Sequence, residues 1–441
     1  MNNHRLLTGM LVATLLSGGM LIHGATAGQE VLPLERLFEI AESNSIQLRP
    51  SFTAEEEACH EISVARTGRL PEITANLSLS YIGDGFTTKR NLSDYQRAPI
   101  PHFGNGLAIN ITQPVYTGGA IKNSIEMAEL KSTASRYATE LQRDNIRFQL
   151  TGFYLDIYKC RNLRSVLEQN ISQARKVLGE MQARYRQGVA LQNDITRYEL
   201  LVSNLELQLI KLDNTLDILN RNLAVTAGLP EGTVVVPDST ILSRSLTPGA
   251  EGWWQQQASE NAPSLKLAGA GVDISRKAES LVKSERLPKI GLQAGWTIDG
   301  PILVEVPPIN RNLSYWYVGV GVSYNLSSLY KTNKSLTRSR IATRHSQEQL
   351  DATRENVSLG VRADYVRYLE AYEELKTMQK SVELAERNYR TISTRYSADM
   401  ALITDMLDAA NSKLDAEQQL VNARINIIYY YYKLLFTTGT I

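Results

Sequence analysis

The phrase RYRQGVALQND, beginning at Arg184, returns as RYSADMALITD at Arg395, 211 positions later. The same offset aligns far more than the phrase. Tyr154 falls on Tyr365, Gly228 on Gly439, and INITQPVY at Ile109 on VGVSYNLS at Val320. Upstream the offset becomes 217, where RLPEI at Arg69 meets RLPKI at Arg286 and AESNS at Ala41 meets ASENA at Ala258. A chain of 441 residues would ordinarily suggest two or three unrelated domains, but self-similarity over its whole length replaces that expectation. The fold has to be one unit stated twice.

The chain divides accordingly. Residues 1–27 carry one Arg, an apolar stretch from Leu6 to Ile22 broken by glycines, and Ala25-Thr26-Ala27, which reads as a secretory signal peptide. The first repeat spans 28–228, with strands at 72–82 and 107–115 and a helical hairpin at 118–228. A linker covers 229–252. The second repeat spans 253–441, with strands at 289–298 and 315–325 and a helical hairpin at 328–438. Ahead of each strand pair lies a short helical stretch, Leu34 to Arg66 and Trp253 to Ser284.

Strands are read from alternation with period two. In ITANLSLSYI, Ile73, Ala75, Leu77, Leu79 and Tyr81 lie on one side and Thr74, Asn76, Ser78 and Ser80 on the other. Trp316, Val318, Val320, Val322 and Tyr324 similarly oppose Tyr317, Gly319, Gly321 and Ser323. Segments of this length, small and polar on one side and apolar on the other, suit membrane-crossing β-strands. Tyr81, Trp296, Trp316 and Tyr324 are the expected aromatic girdle. A soluble amphipathic sheet is the competing reading. Four strands cannot close a barrel, and a bilayer tolerates no open edge, so copies of the chain must share one. Two copies supply eight strands and three supply twelve; the count does not choose between them.

The hairpins are read from heptads. Val202, Leu209, Leu216 and Leu223 form one row, Leu205, Leu212 and Leu219 another, and Leu407, Leu414, Val421 and Ile428 a third, flanked by Ala409, Ala416 and Ala423. Such spacing makes left-handed coiled-coil packing. Nearly seventy residues without proline run to roughly 100 Å. A periplasmic coiled-coil scaffold without a pore would account for the heptads and remains open here. Gly188 is expected to supply a positive φ at the first hairpin turn, with Asp399 in the matching place. The Tyr429 to Tyr432 run, far from the strands, is expected to pack inside the helical part and not to form a membrane belt.

Composition narrows function. With 47 Lys plus Arg against 46 Asp plus Glu, no nucleic-acid partner is expected. There is no phosphate-binding loop, CxxC or HExxH, and His60, His102 and His345 lack ligand spacing. No enzyme, cofactor or metal centre is expected. Export allows a disulfide between Cys59 and Cys160, but each reads as a small buried apolar residue.

The tandem units, the junction QPVYTGG at Gln113 and the phrases GVALQND and MALITDMLD together resemble the TolC-type outer-membrane efflux protein family. The resemblance covers essentially the whole mature chain. It implies an α+β membrane protein whose repeat is a helix, a β-hairpin and a long α-helical hairpin. Three chains would then share a 12-stranded β-barrel in outer-membrane lipid, continued by a coiled-coil tunnel through the periplasm. It further implies a passive exit duct coupled through a periplasmic adaptor to an inner-membrane transporter of the RND or ABC kind. By the same resemblance Gly188, Val189, Ala190, Leu191, Met400, Ala401 and Leu402 are adaptor-docking residues, and Asp194, Asp405 and Asp408 line the pore aperture. Helix capping competes for Asp194 and Asp405. Some members latch the mouth with an Arg near the second tip, where this chain has Ala401, which leaves Arg197 or Arg395 as the candidates to replace it.

Overall fold

The computed structural model describes residues 29–238, 240–241, 249–305 and 307–441; the expected signal peptide lies outside the described residues. The first unit runs β1 (Gln29–Leu32), α1 (Leu34–Asn44), α2 (Arg49–Thr67), β2 (Glu72–Tyr81), β3 (Gly85–Thr87), β4 (Gln96–Ala98), β5 (Phe103–Tyr116), α3 (Ala120–Arg186) and α4 (Gln192–Ala227). Next comes β6 (Val234–Pro237). The second unit runs α5 (Glu251–Asn261), α6 (Pro263–Ser284), β7 (Lys289–Gly300), β8 (Leu313–Ser323), α7 (Ser328–Ser397) and α8 (Ile403–Thr438).

Each expected short helical stretch is two helices. Proline stands in the first turn of both α2 and α6, where its missing N–H costs nothing, and Pro263 directly follows the Ala262 C-cap of α5, which the α5 helix cannot pass. α3 and α7, of 67 and 70 residues, each reach about 100 Å. None of the described helices is long and apolar enough to cross a membrane.

The four long strands form one antiparallel sheet in the order β2-β5-β7-β8, so the two repeats join through β5 and β7. The register keeps one chemistry on each face. Ala75, Ile109, Trp296 and Trp316 line up across the sheet, as do Ile73, Ile111, Ala294 and Val318. On the opposite face Thr74, Asn110, Gly295 and Tyr317 form a row. The apolar face is uncovered: Leu77 is 72% exposed and Val318 71%.

Several expectations need correcting. The connection between the first two long strands holds the small β3–β4 hairpin, and β5 begins at Phe103, before residue 107. β8 ends at Ser323 because the Asn325 carboxamide oxygen accepts the Ser327 N–H and turns the chain into α7, which leaves Tyr324 just beyond the strand. The four aromatics expected as a girdle therefore do not share one row. Tyr81 pairs with Phe103 at the loop end, Tyr324 lies at the helix end, and the Trp296–Trp316 pair sits between them. The linker also contains β6, paired in parallel with β1. Cys160 is buried as expected, but Cys59 is exposed, because α2 lies on the outside of α3 and buries no residue fully.

Three apolar clusters hold the helices. One gathers Leu37, Leu150, Leu223, Val235 and Tyr432 around Tyr154; the second surrounds Tyr368 and Leu434; the third lies above the hairpin turns. Ala409, Ala416 and Ala423 are all buried, which lets α8 approach its neighbours closely. The tyrosine run packs inward, with Tyr432 buried and Tyr429 and Tyr431 against the first cluster. α4 packs on α3, α3 on α8, and α8 on α7, leaving α4 and α7 outermost.

Tyr154 has no exposed surface, and its hydroxyl donates to the Leu32 carbonyl at 2.9 Å and accepts the Asp238 N–H at 2.6 Å. One phenol thus ties the β1–β6 pair to α3. Tyr154→Phe removes both bonds without changing shape and should cost about 1–3 kcal/mol, read as a lower melting temperature with helical circular dichroism retained.

Candidate functional site

The two hairpin turns, residues 187–191 and 398–402, lie side by side at the end of the helical bundle farthest from the sheet. Each is built by the same backbone bonds. The Gly188 N–H donates to the Tyr185 carbonyl at 2.9 Å and the Val189 N–H to Arg184 at 3.1 Å. At the second turn the Asp399 N–H donates to Tyr396 at 3.1 Å and the Met400 N–H to Arg395 at 2.8 Å. This closure needs one left-handed residue. Gly188 has φ 77° and Asp399 has φ 57°. Aspartate tolerates that region better than most side chains, so the turn survives the replacement.

The residues after each left-handed position are apolar and open. Val189 is 58% exposed, Leu191 68%, Met400 70% and Leu402 69%, with Ala190 and Ala401 half-buried between them. Neither turn is a hydrophobic plug for its own helix corner. Both present small and apolar side chains outward.

The three candidate acids differ in environment. Asp405 caps α8: its carboxylate accepts the Leu402 N–H at 3.1 Å. Asp194, in the first turn of α4, makes no such cap and is half-buried beside Tyr396. Burial pushes the Tyr396 phenol above its ordinary value, the Asp194 carboxylate adds to the effect, and the Arg184 guanidinium opposes it. Asp408, one turn beyond Asp405, is exposed and makes no ion pair or hydrogen bond among the described residues. Capping accounts for Asp405 locally; nothing local accounts for Asp408.

The two turns are tied together by a residue the sequence did not single out. Arg184 pairs with Asp399 and donates to the carbonyls of Tyr396 at 3.4 Å and Ser397 at 3.3 Å. Neither Arg197 nor Arg395 makes an ion pair among the described residues. The repeat held a signal for this contact: the aspartate at the glycine position is the partner of the arginine that opens the first phrase. Above the turns Met181, Ile195, Tyr198 and Met406 form a packed core. Higher still, the Lys413 ammonium lies 3.5 Å from the Glu417 carboxylate and donates to Gln173 at 3.2 Å, while Asn170 donates to Glu417 at 2.8 Å. Both charges are mostly buried and both are satisfied, which favours one register of the hairpins.

This arrangement has no chemistry for bond making. No group of His, Cys, Asp and Glu suited to a metal occurs among the described residues. The arrangement can offer an apolar contact surface and a set of acids, held in fixed register at the end of a long helical stalk.

A family profile described as outer membrane efflux protein matches residues 37–229 and 254–439, one match per repeat. The outer membrane efflux protein BepC of Brucella suis is 19% identical over 431 residues, covering 98% of this chain and 90% of its own. The outer membrane protein TolC of Vibrio cholerae is 21% identical over 412 residues, covering 92% and 91%. The crystal structure of the outer membrane protein VceC from Vibrio cholerae superposes with a TM-score of 0.76 at 15% identity, covering 92% of this chain and 96% of that one.

Arg184→Ala should loosen the second turn without unfolding the stalk. A partly exposed pair contributes about 1 kcal/mol, so amide exchange across residues 397–402 should quicken roughly fivefold at an unchanged melting temperature. Arg184→Lys, which keeps the charge but not the planar fork, should fall between. Equal exchange rates in all three proteins would show that the contact holds nothing.

Proposed function

The chain belongs to the outer membrane efflux protein family, and is an outer-membrane channel protein and not an enzyme; from that premise we propose that three copies form one exit duct. In this reading each copy gives four strands to a twelve-stranded barrel in outer-membrane lipid and its two hairpins to a periplasmic tunnel. The two repeats, 28–228 and 253–441, act as equivalent wall segments, and Tyr81, Trp296, Trp316 and Tyr324 face the lipid and its interfaces.

The observation that carries this is the sheet. It has two unpaired edges, β2 and β8, and neither face is packed on a core. Such a sheet is unstable alone in water and impossible in lipid, and closing it with further copies removes both objections. The helices support the same closure. The outermost helices carry uncovered apolar residues, Leu200, Leu207 and Ile210 on α4 and Leu359 and Val366 on α7, which suits contact between neighbouring copies. A periplasmic scaffold without a pore would give no reason for the uncovered apolar face of the sheet.

Gly188, Val189, Ala190 and Leu191 with Met400, Ala401 and Leu402 dock the helical hairpins of a periplasmic adaptor, which couples the duct to an inner-membrane RND or ABC transporter. Exposed apolar groups on a rigid turn suit such a groove contact. Asp194, Asp405 and Asp408 face the aperture, where threefold repetition turns each into a ring of carboxylates that attracts cations. Arg184 with Asp399 takes the place of the latch that Ala401 does not supply.

Asp408→Asn combined with Asp405→Asn tests the ring. In planar bilayers under a salt gradient the double variant should shift the reversal potential towards zero, roughly halving the cation-to-anion permeability ratio. An unchanged reversal potential would remove these acids from the aperture.

A further inference from the structure

We propose that the junction between sheet and helix in the second repeat binds an oxyanion of the phosphate class, held by Lys289, Lys331 and Thr332. A hollow of about 430 Å³ lies there, between the start of β7, the end of β8 and the first turns of α7. Lys289 and Lys331 stand exposed at its rim, and neither makes an ion pair or hydrogen bond among the described residues. Glu285 is the one acid in the lining, so the lining is net positive.

Thr332 points to an occupant. It is 4% exposed, lines the hollow, and its hydroxyl has no hydrogen-bond partner among the described residues. A threonine inside a helix ordinarily donates to the carbonyl four residues back. On the same helix Thr337 donates to Asn333 at 3.0 Å and Thr343 to Ser339 at 3.2 Å. Its oxygen is not among the side-chain atoms sealed from solvent without a partner, so it stays open to the hollow that carries the two unpaired ammonium groups at its rim. The Ser323 hydroxyl and the positive end of a 70-residue helix add to the same potential, while the Ser328 hydroxyl already donates to the Asn325 carbonyl at 2.6 Å.

The other repeat supplies an internal control. Aligned positions place Glu72 against Lys289, Ala120 against Lys331, Ile121 against Thr332 and Gly68 against Glu285. Ile121 packs there, 3.9 Å from where a Gly68 Cβ would lie. Where packing alone is required, the position is apolar. The second repeat gives up that packing and reverses the charge, a change that favours binding an anion and not holding the junction together.

Lys289 pairs with Ser323 on the polar face that also bears Gln293 and Gly319. If the duct reading holds, that face looks into the lumen, and a soluble phosphate-bearing solute is then the source; a phospholipid headgroup would offer the same chemistry from outside. The site itself does not depend on the duct, because binding can be read on the purified full-length protein in detergent.

Isothermal titration with inorganic phosphate and native mass spectrometry with phosphatidylglycerol separate the two sources. Saturable binding of either probe is expected, weakened at least tenfold in the double variant K289Q/K331Q and several-fold in Thr332→Val, each at an unchanged melting temperature. E285Q should tighten it, which guards against a double variant that merely fails to fold. Phosphate binding assigns a soluble ligand; retention of phosphatidylglycerol alone assigns a headgroup. No saturable binding of either probe, or equal binding by wild type and K289Q/K331Q, overturns the site.

Discussion

Backbone hydrogen bonds at the two edges of a four-stranded sheet govern this protein. β2 and β8 each present a row of N–H and C=O groups that the chain cannot pair with itself, because the hairpins leave the sheet and do not return. In water such edges invite aggregation, and in hydrocarbon each unmet group costs several kcal/mol. In the proposed duct, further copies of the chain supply partners for those edges. The apolar side chains on one face need lipid, the polar ones on the other need water, and only a closed barrel gives both.

The helical part meets a related demand by other means. An α-helix satisfies its own backbone, so α3, α4, α7 and α8 can be long and need only lateral packing. Small residues on α8 and the three apolar clusters supply it within one chain. The outermost helices keep uncovered apolar residues, as the sheet keeps uncovered edges, and the two deficits fall at the same flanks of the chain.

Much of this was legible because it is periodic. The repeat, the heptads of α4 and α8 and the alternation of β2 and β8 recur often enough to be read without contacts, and Gly188 marks its turn by residue type alone. Features set by a single tertiary contact were not legible. β1 and β6 have four residues each and exist because Tyr154 and Asn220 bind their backbone groups. Cys59 was expected inside because cysteine usually is, but α2 covers α3 from the outside. The tie from Arg184 to Asp399 joins residues 215 positions apart, and the three acids look alike in sequence while only Asp405 caps its helix. Differences between aligned repeat positions, as at Ile121 and Thr332, mark where the two units diverge in what they hold.

The central claim is that the open sheet is closed by copies of the same chain. Negative-stain microscopy of the protein in detergent tests it directly. The account predicts threefold end views and a side view roughly 140 Å long, about 100 Å of it helical stalk. Compact monomers, or a tube of any other symmetry, would contradict it.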